Sequence, residues 1–172
     1  SDIDGEATYD SSGFSVSMSS DGTRVAIGAS SNDGANGERS GHVRVYDYSS
    51  PGGWTQVGSD IDGEAAGDYF GSDVSMSSDG TRVAIGAKYS DGNGMNSGHV
   101  RVFDYSSSSG GWTQVGSDMN GEAGSDYSGY SVSLSPDGTT IAVGAWGNNG
   151  NGTDSGHVRV FDYSSSSDEW TQ

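Results

Sequence analysis

The sequence contains no cysteine, only two prolines and only seven lysine or arginine residues among its 172 residues. Without cysteine there is neither a disulfide framework nor a thiolate metal site. The 24 aspartate and glutamate residues give a formal net charge of −17. Nucleic-acid binding needs clustered basic side chains, so we expect no nucleic-acid partner.

Long hydrophobic runs are also missing. The longest resemble VAIGA at 25–29, far short of the roughly 20 residues that a membrane-spanning helix needs, so we expect no membrane insertion. Leu, Ile, Val and Phe together contribute only 24 of the 172 residues, a composition close to that of disordered chains. Their order argues against disorder, because they recur in short alternating runs separated by turn residues.

The chain is a threefold repeat. Trp54, Trp112 and Trp170 stand 58 residues apart, and each begins a Trp-Thr-Gln triplet. A strict period of this size indicates a repeat architecture. We divide the chain into units 1–58, 59–116 and 117–172, which together make a single repeat domain.

The second unit predicts four short strands. Residues 73–77 alternate apolar and small polar side chains, and the Ser-Asp-Gly-Thr segment at 78–81 is a strong hairpin signal. The segments RVAIGA at 82–87 and HVRVFDY at 99–105 predict the second and third strands. A fourth strand begins at Trp112, and we expect it to run on into the next unit.

Four antiparallel strands in 58 residues, with no helical period, are typical of one blade of a β-propeller. The predicted fold is therefore all-β, a β-propeller with three four-stranded antiparallel blades per chain. A parallel β-helix is the structural alternative. Its coils are much shorter than this repeat and do not use Asp-Gly hairpins.

Three motifs of the second unit carry a family resemblance: GDYFG at 67–71, IGA at 85–87 and GHVRVF at 98–103. They resemble the integrin-α N-terminal repeat, also called the FG-GAP repeat. The other units place Ser12 and Ser128 where the second has phenylalanine. The resemblance implies a β-propeller of the integrin-like kind, usually found in extracellular or cell-surface proteins of adhesion and recognition. The third unit is also similar to blades of WD40-like propellers.

Many members of that family carry a calcium loop of the Asp-x-Asp-x-Asp-Gly kind between the first two strands. The corresponding turn of the second unit has one carboxylate, Asp79, and the other units have only Asp21 and Asp137. Calcium needs six to eight oxygen ligands, so we do not extend the calcium function to these turns. Weak Ca²⁺ binding is a separate hypothesis for the acidic segments 32–33, 91–93 and 151–154. We expect no other cofactor.

The second loop of each unit differs almost completely between the copies: SSNDGANGER, KYSDGNGMN and WGNNGNGTD. Part of the connector between units varies too, whereas the Asp-Gly turns barely change. In an antiparallel blade both variable segments fall on one face, and functional loops on a rigid scaffold behave in this way. We therefore place any ligand there. The alternative is that the loop sequences differ only because exposed loops accept substitutions freely. The predicted ligand-binding residues are Arg39, Lys88, Tyr89, Trp146, Asp33, Asp91 and Asp154.

We predict no catalytic residue and no metal centre. The carboxylates recur at equivalent positions in each unit, and a ring of blades holds such equivalents apart, whereas paired catalytic carboxylates lie within roughly 5–10 Å. Asp68 and its equivalents are expected to cap backbone amides. By the same argument His42, His99 and His157 should not converge on one zinc ion. A polysaccharide-acting enzyme stays as a less favoured alternative.

Propellers close with four to eight blades, and three blades leave two open edges that invite association. Two chains joined head to tail would give a six-bladed ring, so we expect a homo-oligomer, most simply a dimer. A chain that begins and ends within the same repeat joint fits such a ring. The alternatives are a fragment of a longer propeller and a nine-bladed ring of three chains.

Two functional hypotheses follow. The first is a non-enzymatic recognition or adhesion module with a protein or glycan ligand on the variable face. The second is a self-assembling structural scaffold, engineered or excised, that has no ligand of its own.

Overall fold

The computed structural model describes residues 2–172, which form three antiparallel sheets and no helix. The first sheet contains β1 (Ser12–Met18), β2 (Arg24–Ala29), β3 (His42–Ser49), β4 (Gly53–Gln56) and β5 (Ile61–Asp62). The second contains β6 (Asp73–Met76), β7 (Arg82–Ala87), β8 (His99–Ser106), β9 (Gly111–Gln114) and β10 (Met119–Asn120). The third contains β11 (Ser131–Leu134), β12 (Thr140–Ala145), β13 (His157–Ser164) and β14 (Glu169–Thr171).

Each sheet is one blade, with its first four strands side by side in chain order. The predicted fold class, three four-stranded antiparallel blades, is confirmed. The fourth strand, however, does not run on into the next unit as expected. In the second blade it ends at Gln114, and Gly116 then takes a left-handed backbone conformation (φ 71°). The chain returns as β10, which pairs with β8.

The first hairpin turn of every blade is held by its aspartate. In the second blade Asp79 accepts hydrogen bonds from the Thr81 amide (3.0 Å) and the Ser77 hydroxyl (2.7 Å). Neighbouring turns are also linked, because the Ser78 amide donates to the Pro136 carbonyl of the third blade (2.8 Å). The bonds to the aspartate recur in all three turns, which explains why the turn sequence barely changes within the chain.

The core lies between blades. Val100 and Val102 of the second blade are 0 % and 1 % exposed, and they pack against a cluster from the third blade that includes Val132 and Leu134. Burial of this kind contributes about 25 cal/mol per Å² of apolar surface. Polar contacts also link the blades. Arg82 pairs with Asp104 of its own blade and donates a hydrogen bond to the Gly138 carbonyl of the next blade (2.8 Å).

The outer surfaces of the two end blades lack this covering. Val158 and Val160, the third-blade equivalents of Val100 and Val102, are 67 % and 51 % exposed. On the first blade the inner strand exposes three apolar side chains, Phe14, Val16 and Met18. The second- and third-blade equivalents of Val16 and Met18 are buried.

Nothing in residues 2–172 forms a helix that is long and apolar enough to cross a membrane.

Candidate functional site

The variable loops and connectors meet on one face as a row of aromatic rings. The ring centroid of Tyr69, in a connector, lies 5.1 Å from that of Tyr89, in the second loop of the middle blade. Tyr89 in turn lies 5.7 Å from Tyr127 of the next connector, and Tyr127 stacks parallel to Trp146 at 4.9 Å. Tyr130 contacts Trp146 edge-on at 6.3 Å. We call these five residues the aromatic row.

The connectors position their tyrosines through a capped turn. Asp68 accepts a hydrogen bond from the Ala65 amide (3.2 Å), and Asp126 does the same for Ala123 (3.0 Å). This is the capping role that the sequence predicted. Each turn ends in a left-handed tyrosine, with φ 55° at Tyr69. Burial raises the pKa of Asp68 above its ordinary 3.8, although the Ala65 amide acts in the opposite direction.

Lys88 lies in a cavity of about 400 Å³ beside the row. Its ammonium is 5.3 Å from the ring centroid of Phe14, 5.4 Å from Tyr89 and 5.2 Å from Tyr130. These distances are within the range of cation–π attraction. Burial lowers the pKa of Lys88 below its ordinary 10.5.

Arg39 extends the row at its other end. Its guanidinium lies 6.0 Å from the ring centroid of Tyr69. A second cavity of about 560 Å³ opens between these two residues, and Asp10, Asp33 and Glu38 also line it. Four of the seven predicted ligand-binding residues therefore lie at the aromatic row: Arg39, Lys88, Tyr89 and Trp146.

The other three predicted residues lie within turns of their own loops. Asp33 accepts a hydrogen bond from the Arg39 amide (2.9 Å), and Asp91 accepts one from Asn96 (2.8 Å). The amide of Asp154 donates to the Asn149 side chain (2.8 Å). All three are exposed. Their contacts organise the loops, and their role in ligand binding stays a prediction.

Sequence reasoning did not name Tyr69, Tyr127, Tyr130 or Phe14. A signal was present for two of them, because Tyr69 and Tyr127 occupy equivalent positions 58 residues apart in the variable connectors. Phe14 and Tyr130 are also equivalent to each other, two repeats apart, but only the folded blades bring both rings to Lys88.

The turn that holds calcium in many family members does not fit that ion here. Asp21 is its only carboxylate, and it accepts hydrogen bonds from the Thr23 amide (3.0 Å) and the Ser19 hydroxyl (2.7 Å). These bonds lower the pKa of Asp21 to about 2. One carboxylate bound in this way falls far short of six to eight oxygen ligands.

Each joint between blades contains a histidine with two carboxylates, an arrangement that the sequence did not predict. In the first joint the ligand atoms of Glu6, His42 and Asp60 lie within 4.8 Å of one another, and Glu64, His99 and Asp118 repeat the pattern. Basic and amide side chains already occupy these carboxylates. Arg44 lies 3.4 Å from Glu6, and Gln56 donates to Asp60 (2.6 Å).

A divalent cation at such a joint would have to compete with the guanidinium for the same glutamate. The cluster is therefore best described as an ion-pair network that fastens the connector to the third strand. Its two copies occupy the same register in successive blades.

Three antiparallel blades packed face to face define this molecule as a β-propeller assembly. Residues 59–103 and 118–161 match the FG-GAP repeat family, together just over half of the chain. The chain therefore belongs to the FG-GAP repeat family. A comparison with curated proteins finds no match.

Solved structures with a similar fold include propeller segments of much longer chains. A proposed 6-phosphogluconolactonase from Bacteroides uniformis superposes with a TM-score of 0.60 at 13 % identity over 91 % of this chain. Sqt1 from Saccharomyces cerevisiae gives 0.61 at 15 % over 95 %, and Kuenenia stuttgartiensis hydrazine synthase gives 0.53 at 18 % over 100 %. This chain spans 37 %, 35 % and 38 % of their respective lengths. At such low identities the likeness concerns the fold alone.

Proposed function

We propose that this chain is a non-enzymatic recognition module that binds a glycan or protein on its variable face. The observation that carries the proposal is the aromatic row, in which rings from two blades and their connectors are in contact. Tyrosine and tryptophan supply large, rigid contact surfaces and are enriched among residues that dominate binding energy. They stand here on the loops that differ most between the copies.

Binding is favoured over catalysis because the carboxylates near this face have structural partners. Asp68 and Asp126 cap connector turns, and Asp33 and Asp91 hold their own loops. Asp73 breaks the repeat on the inner strand, but it accepts a hydrogen bond from the Val132 amide (2.7 Å) of the next blade. The proposed location is extracellular or at the cell surface, which rests on the family resemblance.

A glycan array with the aromatic-row variants Tyr127→Ala and Trp146→Ala tests the recognition proposal. We expect each variant to weaken binding to the captured glycan roughly tenfold or more, as for aromatic anchors that a bound partner covers at other interfaces. Tyr48→Ala is the matched control, because Tyr48 (48 % exposed) resembles Trp146 (50 % exposed) and lies outside the row. Equal binding by all variants would contradict a role for the aromatic row, and no binding to any glycan or protein tested would favour the scaffold hypothesis.

We also propose that the chain assembles head to tail with a second copy. Within the chain the same two blade surfaces already pack against each other twice, and their third occurrence leaves Val158 and Val160 exposed. The backbones of Gly41 and Gly98 pair with residues of the next blade's connector, Phe70 and Ser128. Their third-blade equivalent, Gly156, instead borders a largely apolar cavity of about 390 Å³.

A second copy carries the complementary surface, because its first blade presents Phe14, Val16 and Met18. Two chains would form a six-bladed ring, within the usual range for propellers. Sedimentation equilibrium provides the test. We expect a mass of twice 17.6 kDa, and a stable monomer across micromolar concentrations would contradict the assembly.

A further inference from the structure

Lys88 is the one lysine or arginine in residues 2–172 without a carboxylate partner. Each of the six arginines has a carboxylate oxygen within 4.0 Å, at distances from 2.5 Å for Arg24 to 4.0 Å for Arg159. No such pair involves Lys88, although the chain has 24 acidic residues. Its charge is half-buried and is met only by ring faces.

Three blades together create this environment. Phe14 of the first blade and Tyr130 of the third stand at equivalent positions, and the middle blade has Ser72 there. The Lys88 side chain extends from the middle blade towards both flanking rings. Serine and tryptophan replace lysine at the equivalent positions of the other blades, Ser30 and Trp146. The feature therefore occurs once per chain and is not part of the repeat.

The cavity around Lys88 combines ring faces with neutral polar groups. Tyr69 and Tyr89 line it together with Ser30, Ser31 and Asn96, and no carboxylate does. The neighbouring cavity, by contrast, contains the acidic residues Asp10, Asp33 and Glu38. A ligand that spans both cavities would meet Lys88, the Arg39 guanidinium that pairs with Glu38, several ring faces, and acceptors suited to hydroxyl groups.

We propose that Lys88 binds the carboxylate of an acidic sugar residue, a uronic or sialic acid unit of an otherwise neutral saccharide. This inference rests on the proposed recognition function and specifies its ligand class. The ammonium pairs with the carboxylate as a charge-assisted contact. The rings of Tyr69 and Tyr89 supply a stacking surface for the sugar, and the half-buried Ser31 hydroxyl bonds to its polar edge.

A single acidic group is favoured over a polyanion because the chain carries a net charge of −17, which repels extended anionic polymers. A saccharide is favoured over an acidic peptide because the cavity combines ring faces and small polar groups with a single cation, Lys88. Acidic peptide motifs are usually recognised by clusters of arginines.

Calorimetry with paired probes tests the inference. The probes are short oligosaccharides that end in glucuronate, galacturonate or sialate, each compared with its methyl ester, which keeps the skeleton and removes the charge. We expect at least one acid to bind at least tenfold more tightly than its ester. In Lys88→Met this preference is expected to disappear while ester binding is kept, and Lys88→Arg is expected to restore part of it.

Folding is checked by far-UV circular dichroism and thermal melting of each variant, and because Lys88 has no ion-pair partner we expect the native fold. An acid preference that survives in Lys88→Met, or the absence of any preference in the native chain, overturns the inference. If Trp146→Ala still weakens binding of the neutral esters in that case, the recognition function stands. A Lys88-dependent preference for carboxylate-bearing peptides without one for the sugars overturns the saccharide class.

Discussion

His99 illustrates how single residues in the blade joints respond to their surroundings. Its imidazole is buried beside Asp118 and Glu64, and its Nδ1 lies 2.9 Å from the Ser90 hydroxyl. Burial lowers the pKa of His99 below its ordinary 6.5, although the charge of Asp118 opposes this effect. The folded state therefore favours the neutral ring more than the unfolded chain does.

A pH dependence of stability follows for the native chain. Because the folded-state pKa of His99 lies below the unfolded value, its contribution is complete above about pH 6.5 and is lost as the pH falls below it. Urea unfolding at pH 7.5 and 5.5 measures the effect. The free energy of unfolding should fall less between pH 7.5 and 5.5 in His99→Gln than in the native chain. One histidine accounts for at most about 1.4 kcal/mol of that fall per pH unit. An unchanged pH slope in the variant would refute this role.

At the scale of strands and loops, glycines set how closely blades approach each other. A Cβ on Gly86 of β7 would collide with the Gly129 carbonyl of the next connector. The equivalent glycine of β12, Gly144, would meet only Ser131 atoms, at 3.5 Å and beyond. The two positions are equivalent in the repeat and lie in the same Ala-x-Gly-Ala pattern, but a following blade covers only Gly86.

Alanine at these two glycines separates folding from assembly. We expect Gly86→Ala to lower the free energy of unfolding by about 1–3 kcal/mol, the usual range for an overpacked core. Gly144→Ala should fold with nearly native stability, yet it should weaken association because the second copy would approach at that position. Denaturant titration and sedimentation measure the two effects. A dimer of native affinity in Gly144→Ala would argue against the proposed docking geometry.

For the whole molecule, the packing between blades within the chain predicts how two chains would pack against each other. Val100 is fully buried between blades, whereas its equivalent Val158 is 67 % exposed. The third blade thus presents to solvent a surface that the chain buries twice elsewhere. A head-to-tail contact buries it without any new type of packing, while the charge of −17 per chain limits unspecific aggregation.

A charged substitution on this surface tests whether the chains associate through the proposed contact or through nonspecific hydrophobic attraction. We expect Val158→Asp to sediment as a folded monomer, because the exposed side chain tolerates a charge that an apolar interface does not. Thr113→Asp adds the same charge to the exposed face of the outer strand β9 and should still dimerise. If both variants behave like the native chain, the interface lies elsewhere.

The fold could be predicted from the sequence because its strands and turns are specified by residues close together in the chain. The alternation in β6 and the Asp-Gly turn at 79–80 act within one unit. They predicted the first three strands of the second unit to within one residue at either end. The face that carries the variable loops followed from antiparallel geometry. The end of the fourth strand was predicted wrongly, because Gly116 turns the chain back through a contact with the third strand that only the folded blade provides.

The sequence alone therefore determined the repeat, the strand order, the family and the face on which the copies differ. Only the tertiary structure decided that Tyr69, Tyr89, Tyr127 and Trp146 form one row and that Lys88 lies among rings of three blades. The physical reason is that a repeat fixes what each blade contains. Contacts among the variable residues depend instead on which side chains neighbouring blades bring together, as Phe14 and Tyr130 are brought to Lys88.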